Sequence, residues 1–417
     1  MDLLTIHGGK RLSGTIPVSG SKNAGLPVMI ASLLTDEPCI IDNVPHLDDI
    51  ETLIALLVFL GKEISRYKDR LEIKSTPSLY AEAPYELVRR MRASIVVMGP
   101  LLARLGRVKV SLPGGCAIGG RPINIHLDGF KAMGADLKIE QGYVEMTAKA
   151  LQGTAFHLDF ASVGATENLM MAAALAKGRT TLINAAMEPE IEDLANCLIS
   201  MGAQIKGIGT ETITIDGVEK LHGFEHRVIP DRIEAGTYMI AAGITGGDLT
   251  LTGVIPEHMK TLIVKLEQAG VKVEAGDGRI AVYASRSIKP VNIETAVYPG
   301  FPTDLQAQWV ALMTRAEGDS SVTERVFENR FMHIAELQRM GAEIQIRGNT
   351  ATVVGGGTLS GADVMVSDLR AGAALVLAGL AASGETNIHR IYHLDRGYEH
   401  LEEKLSAVGA EITRSKE

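Results

Sequence analysis

Aromatic side chains are scarce in this 417-residue chain: they make up 4%, with a single tryptophan. Few platforms are therefore available on which nucleic-acid bases could stack. An excess of basic charge is also missing. Fifty Asp and Glu face forty-one Lys and Arg, a net charge of −9, and no long basic run occurs. Nucleic acid is therefore not an expected partner. Long apolar runs are missing too. The longest near-apolar stretches, such as residues 371–382, fall well short of the roughly 20 residues that span a bilayer, so no membrane span is expected. Cysteine is rare: Cys39, Cys116 and Cys197 are widely spaced and odd in number. That fits a reducing cytosol and excludes a disulfide framework. The eleven histidines include no HExxH or similar close pairing, so no metal site is expected. Phosphate-loop and dinucleotide motifs are absent: Gly207–Ile208–Gly209 lacks the third glycine, and no GxxxxGK[ST] occurs. No cofactor is expected. The opening MDLLTIHGGKRLSG lacks a basic-then-apolar layout, so a cytoplasmic location is expected.

What the chain does have is a repeat. A bulky apolar residue or alanine followed by glycine, then an alternating strand, occurs at Leu60–Gly61, Met133–Gly134, Met201–Gly202, Ala269–Gly270, Met340–Gly341 and Val408–Gly409. This is the pattern of a helix closed by a left-handed glycine and followed directly by a strand. One instance is an ordinary turn. Six instances between 68 and 73 residues apart signify a repeated unit of about 70 residues.

A second pattern runs in step. Alanine-rich helices, apolar almost all round, are predicted after Ser21, Arg92, Ser162, Arg232, Pro302 and Leu369; burial on every side is the expected consequence. Short β-like runs and a second, amphipathic helix follow each one, so that a unit reads buried helix, strands, amphipathic helix, strand. Three units make an ordinary domain, so six suggest two similar domains, with the cut near Pro230–Arg232.

Unusual polar and charged residues collect where the buried helices begin: Lys22 and Asn23, Arg92, Ser162, Arg232, Thr303 and Asp304, and Arg370. A cation at a helix N-terminus opposes the helix dipole. A set of them at repeat-equivalent positions makes sense around a shared anionic ligand. Asp304 fits two roles equally at this stage, as a helix cap or as a base towards a substrate hydroxyl. Arg330, at the predicted start of an amphipathic helix, and Arg396, in a turn before the last helix, read by themselves as surface ion-pair partners. The segment SLPGGCAIGGRP at 111–122 holds Cys116 between two glycine pairs, with Arg121 beyond. Four glycines in seven residues make a loop. Its thiol is either an inert filler, favoured on composition alone, or a nucleophile made reactive by the nearby cation.

The segments SKNA at 21–24, MRAS at 91–94, LPGGCAIGGRP at 112–122, SVGAT at 162–166, PDRIE at 230–234, FPTD at 301–304, FENRFMH at 327–333, SDLRA at 367–371 and IYHLDRGYE at 391–399 resemble those of the UDP-N-acetylglucosamine 1-carboxyvinyltransferases. The resemblance covers essentially the whole chain, in order. It implies an α/β fold of two inside-out barrels: buried helices within, sheets without, six repeats of about 70 residues. It implies a first domain over 22–229 carrying the 111–122 loop, and a second over 1–21 plus 230–417. The active site would lie in the cleft between them.

The implied reaction transfers the enolpyruvyl group of phosphoenolpyruvate to the 3′-hydroxyl of UDP-N-acetylglucosamine with loss of phosphate, the first committed step of peptidoglycan synthesis. By resemblance, Lys22, Arg121 and Arg396 hold the phosphate, Arg330 and Arg370 the carboxylate side, and Asn23 also contacts phosphoenolpyruvate. Cys116 is the proton donor, forms the pyruvate adduct and is the target of fosfomycin. Asp304 accepts or orients the sugar hydroxyl proton. Arg92, Arg121, Pro122, Ile123, Asn124, Ile125, Ser162, Val163, Gly164, Asp304 and Val326 bind the UDP-sugar. Two departures stand out. Phe160 and Ala161 precede SVG where some members carry a lysine, and Gly120 stands where alanine is familiar. The alternatives are the sister enzyme acting on shikimate 3-phosphate, which lacks this cysteine loop, and a non-catalytic UDP-sugar-binding paralogue. The oligomeric state is left open.

Overall fold

The computed structural model describes residues 2–112, 123–284 and 287–416. Cys116, Arg121 and Pro122 lie outside the described residues. The chain divides into two compact units, one drawing on residues 2–19 and 230–416, the other on 20–112 and 123–229. Gly20 and Ser21, expected with the former, belong to the latter. The Ser21 hydroxyl accepts the Ala24 N–H at 3.3 Å and so caps the first helix of that unit, and its own N–H bonds to Ile229 O at 2.7 Å.

In the 20–229 unit the helices Lys22–Ala31, Met98–Leu105 and Val163–Ala173 are the buried ones. A 3₁₀ turn, Arg92–Val97, leads into the second. In the other unit they are Arg232–Thr245, Gln306–Met313 and Leu369–Ala381. Every residue of Gln306–Met313 is buried, so apolarity all round corresponds to neighbours all round. With aromatics scarce, the core is built from Ala, Leu, Met, Ile and Val, and backbones approach closely. At Gly99 an added Cβ would lie 2.2 Å from Asn168 O on the neighbouring buried helix.

Among the described residues, six four-stranded sheets surround these helices, three per unit. Their strands alternate buried and exposed residues, as in Thr212–Asp216, which suits a sheet with one face on a core and one in water. The order within a repeat differs from the expectation: one strand follows the buried helix, and a hairpin plus a short strand follow the amphipathic helix. Two-residue turns explain the hairpins. Gln141–Gly142 and Asp277–Gly278 both hold positive φ at each position, the geometry that matches strand twist. The six repeat glycines all have φ between +88° and +103°, as their positions predict.

Each sheet also receives a parallel edge strand from the preceding repeat. Glu225–Arg227 pairs with Cys39–Asp42, closing one ring; Ser13–Pro17 pairs with Asp248–Thr252, closing the other. The last sheet lacks a hairpin. The chain's first strand, Asp2–His7, lies antiparallel between Glu385–His389 and Glu411–Lys416, in the place the return strand takes elsewhere. Its Leu4 and Ile6 are buried. Truncating Ile6 to alanine opens a void that a ring of sheets cannot collapse into. A loss of about 2–5 kcal/mol is expected, read as a lower midpoint in urea unfolding with an unchanged slope.

Candidate active site

Thr303 and Asp304 sit in a 3₁₀ turn, Thr303–Leu305, that leads into the buried helix Gln306–Met313. Asp304 caps neither. Its carboxylate is taken by two guanidinia: Arg330 Nη2 donates to Oδ1 at 2.7 Å, and Arg370 Nη2 and Nε donate to Oδ2 at 2.9 and 3.2 Å. Both arginine side chains are nearly inaccessible, at 6% and 4% exposure, while that of Asp304 keeps 25%. Burial would raise the acid's pKa. The charges of Arg370 and Arg330, with their hydrogen bonds, more than offset this and hold the carboxyl well below its usual range.

Arg370 owes its position to the start of the Leu369–Ala381 helix, where Asp368 Oδ1 accepts the N–H groups of Arg370 and Ala371, each at 3.0 Å. Its guanidinium lies over the Tyr398 ring at 5.4 Å. Among the described residues its Nη1 is buried and makes no hydrogen bond. Arg330 precedes the His333–Arg339 helix rather than opening it. There Phe327 packs on its guanidinium at 5.1 Å. Val326 joins this group through Glu324, whose Oε1 accepts its N–H at 2.7 Å. Arg396 is half-buried in the turn before the last helix. The surface ion-pair role that Arg330 has by itself is corrected here: it is buried and shared with Asp304.

The other predicted residues fall in the 20–229 unit. Lys22 is the first residue of its helix, and its Nζ meets Asp49 Oδ2 at 3.0 Å. Asp49 is 3% exposed and balances a cation that the helix dipole disfavours. Asn23 follows on the same first turn. Ile123 precedes the helix Asn124–Ala132, on which Asn124 and Ile125 lie. Ser162 caps the helix Val163–Ala173 by accepting the Ala165 N–H at 3.3 Å, which leaves the amides of Val163 and Gly164 at an open helix start.

Beside that start is a residue that sequence reasoning missed. His126 is 7% exposed. Asn168 Oδ1 accepts the Gly99 N–H at 2.6 Å, so its Nδ2 must face Ile95 O at 3.1 Å and His126 Nδ1 at 3.0 Å. Nδ1 is therefore the acceptor and the ring proton sits on Nε2. Burial, aided by the charge of Arg92, lowers the His126 pKa to about 4, so the ring is a neutral donor. A Cβ on Gly164 would lie 3.7 Å from Nε2; glycine there leaves this edge of the ring uncovered. His126, Asn168 and Glu324 carry no local motif. Only the tertiary hydrogen bonds single them out. Among the described residues no group of His, Cys, Asp and Glu is placed to hold a metal ion.

Comparison with known proteins bears on this arrangement. A family model described as EPSP synthase (3-phosphoshikimate 1-carboxyvinyltransferase) matches residues 6–405. The UDP-N-acetylglucosamine 1-carboxyvinyltransferase of Geotalea uraniireducens is 56% identical over 417 residues, all of both chains. That of Endomicrobium trichonymphae is 55% identical over 413 residues, 99% of each. The chain belongs to the UDP-N-acetylglucosamine 1-carboxyvinyltransferase family. The enolpyruvyl transferase NikO from Streptomyces tendae superposes with a TM-score of 0.90 at 28% identity over 99% of each chain. EPSP synthase from Acinetobacter baumannii, at 22% identity and a TM-score of 0.76 over both full chains, shares the fold. Within this transferase family the present chain has Phe160, 43% exposed, just before the Ser162 cap.

His126 gives the transferase a pH dependence of known sign. Its folded pKa lies below the usual value of about 6.5, so the unfolded chain takes up a proton that the folded one refuses. Stability is full above that value and falls as pH drops from about 6.5 towards about 4. Thermal unfolding followed over this range is expected to show a falling midpoint, with a shallower slope in His126→Gln.

Proposed function

We infer that this chain transfers the enolpyruvyl group of phosphoenolpyruvate to the 3′-hydroxyl of UDP-N-acetylglucosamine and releases phosphate, the step that commits the sugar to peptidoglycan. The observation that carries this is full-length identity of 55% and more to enzymes of that name. The geometry of Asp304 supports the division of labour among the residues.

Phosphoenolpyruvate gains a proton at its methylene carbon, and positive character develops at the adjacent carbon. The sugar oxygen bonds there as its proton leaves. Loss of phosphate from that carbon and of a proton from the methyl group then restores the double bond. Cys116 is the residue proposed to deliver the proton and to form the adduct with pyruvate. Lys22, Arg121 and Arg396 take the phosphate end, Arg330 and Arg370 the carboxylate, and Asn23 also contacts phosphoenolpyruvate. Arg92, Arg121, Pro122, Ile123, Asn124, Ile125, Ser162, Val163, Gly164 and Val326 receive the UDP-sugar. His126 adds a neutral N–H donor beside the amides of Val163 and Gly164, a pairing suited to a diphosphate oxygen.

Asp304, clamped by two guanidinia, is a weak base in the substrate-free enzyme. An incoming carboxylate shares those guanidinia, weakens their hold on Asp304 and raises its basicity at the moment the sugar hydroxyl needs an acceptor. Asp304→Asn is expected to lower phosphate release by about 10²-fold or more, while the two arginines, left without their counter-charge, destabilise the fold by less than the about 3–5 kcal/mol of a fully buried pair.

The deciding assay measures phosphate release from phosphoenolpyruvate with UDP-N-acetylglucosamine or shikimate 3-phosphate as acceptor. Release with the shikimate alone would overturn the proposal, as would equal turnover in the parent and Cys116→Ala. Fosfomycin is expected to label Cys116. Cys39 and Cys197 are buried, and burial pushes the Cys39 thiol up to about 11 and that of Cys197 well above its usual value. Peptide mapping that found the label on either would count against this assignment. The reaction takes place where its soluble substrates are, in the cytoplasm, and no described helix is long and apolar enough to cross a membrane.

A further inference from the structure

We propose that Glu324 is a positioning residue for the Asp304 carboxylate, acting through the hydroxyl of Thr303 and the ring of Phe327 on the guanidinium of Arg330; this rests on the role given to Asp304 above. Glu324 follows the strand Ser320–Thr323 and is 3% exposed. Its Oε1 accepts from Thr295 Oγ1 at 2.7 Å, from the Val326 N–H at 2.7 Å and from the Phe327 N–H at 3.1 Å. Its Oε2 accepts from Thr303 Oγ1 at 2.8 Å. Four donors thus converge on one buried side chain, which only an acceptor at every position can satisfy.

The consequence reaches Asp304 by two routes. The Thr303 hydroxyl has one proton, committed to Glu324, so it presents a lone pair to Arg330 Nη1 at 2.8 Å. The neighbouring Nη2 of the same planar group then meets Asp304 Oδ1 at 2.7 Å. On the other side, the main chain that Oε1 holds carries Phe327, whose ring lies 5.1 Å from the Arg330 guanidinium carbon. One carboxylate therefore fixes Arg330 at an edge and on a face. It also joins the turn bearing Asp304 to the segment bearing Val326, two stretches assigned to the sugar.

Glu324→Gln tests this with little change of shape. Three donors face one oxygen position and one faces the other, so the amide oxygen stays on the side of Thr295, Val326 and Phe327. The amide NH₂ then meets Thr303, whose proton loses its acceptor, and the Arg330 fork turns. Turnover with UDP-N-acetylglucosamine is expected to fall about 10- to 100-fold, the scale of a small misplacement at a reacting group. Thr303→Val removes the same link and is expected to show a comparable loss, while Thr303→Ser keeps the hydroxyl and most of the activity. Because Glu324 acts through Thr303, the double variant Glu324→Gln with Thr303→Val is expected to be no worse than the poorer single one. A purely structural role would make the losses additive. Additive losses, or an active parent matched by Glu324→Gln, overturn the proposal. If Glu324→Gln does not fold, the Thr303 pair decides: equal activity of Val and Ser variants overturns it. A parent that releases no phosphate with this acceptor refutes instead the transferase function above.

Discussion

Two buried cations sharing one carboxylate set the terms for the whole 230–416 region. Arg330 and Arg370 could not sit nearly inaccessible without Asp304 between them, because an unpaired charge out of water costs several kcal/mol. Asp304 in turn is where it is because a 3₁₀ turn delivers it to the start of a helix buried on every side. Beneath, the polar supports are dense for a core of small apolar residues. The Gln308 Nε2 lies within hydrogen-bond distance of Thr237 Oγ1, the Tyr398 hydroxyl and Asp304 O, and Tyr398 lies under the Arg370 guanidinium. The charge cluster is thus held from below by hydrogen bonds and from the side by Phe327. A charged group that must not drift needs this kind of support, since electrostatic catalysis depends on donors already in place.

The electrostatic logic of the 20–229 unit is different in kind. There the notable donor is uncharged. His126 offers a proton without a charge, held in one tautomer by an asparagine whose own orientation is set by a backbone amide. The set of helix starts therefore offers both full cations, at Lys22 and Arg92, and neutral donors, at His126 and the amides of Val163 and Gly164.

Much of the fold was legible because it is written in local terms. The six glycines hold positive φ at the positions their spacing indicates, since a helix that ends directly before a strand has few other ways to turn. The buried helices were legible because apolarity on all faces, in helices too short to cross a membrane, means neighbours on all faces. The order of strands around the amphipathic helix was not, because a strand before a helix and a strand after it have the same alternation. Asp304 illustrates the limit at the site. Its sequence context is that of a cap, and only the arrival of Arg330 from later in the same repeat and of Arg370 from the next one decides against it. Glu324 in SVTERVF and His126 in NIHLDG carry no motif, because the side chains that single them out, Thr295 and Thr303 for one and Asn168 for the other, lie more than twenty residues away.

The strand Asp2–His7 has a consequence for how the protein is made. It leaves the ribosome well before one of its neighbours in the sheet, Glu411–Lys416. At about 5–20 residues per second, roughly 20–80 s separate the two events. Residues 20–229, whose sheets close on one another, need no such wait. During that interval a strand with Leu3, Leu4 and Ile6 in six residues has both edges open, a template for pairing with other nascent chains. The run that follows it, Gly8, Gly9, Lys10 and Arg11, limits its length and adds charge beside it, as a gatekeeper against aggregation does.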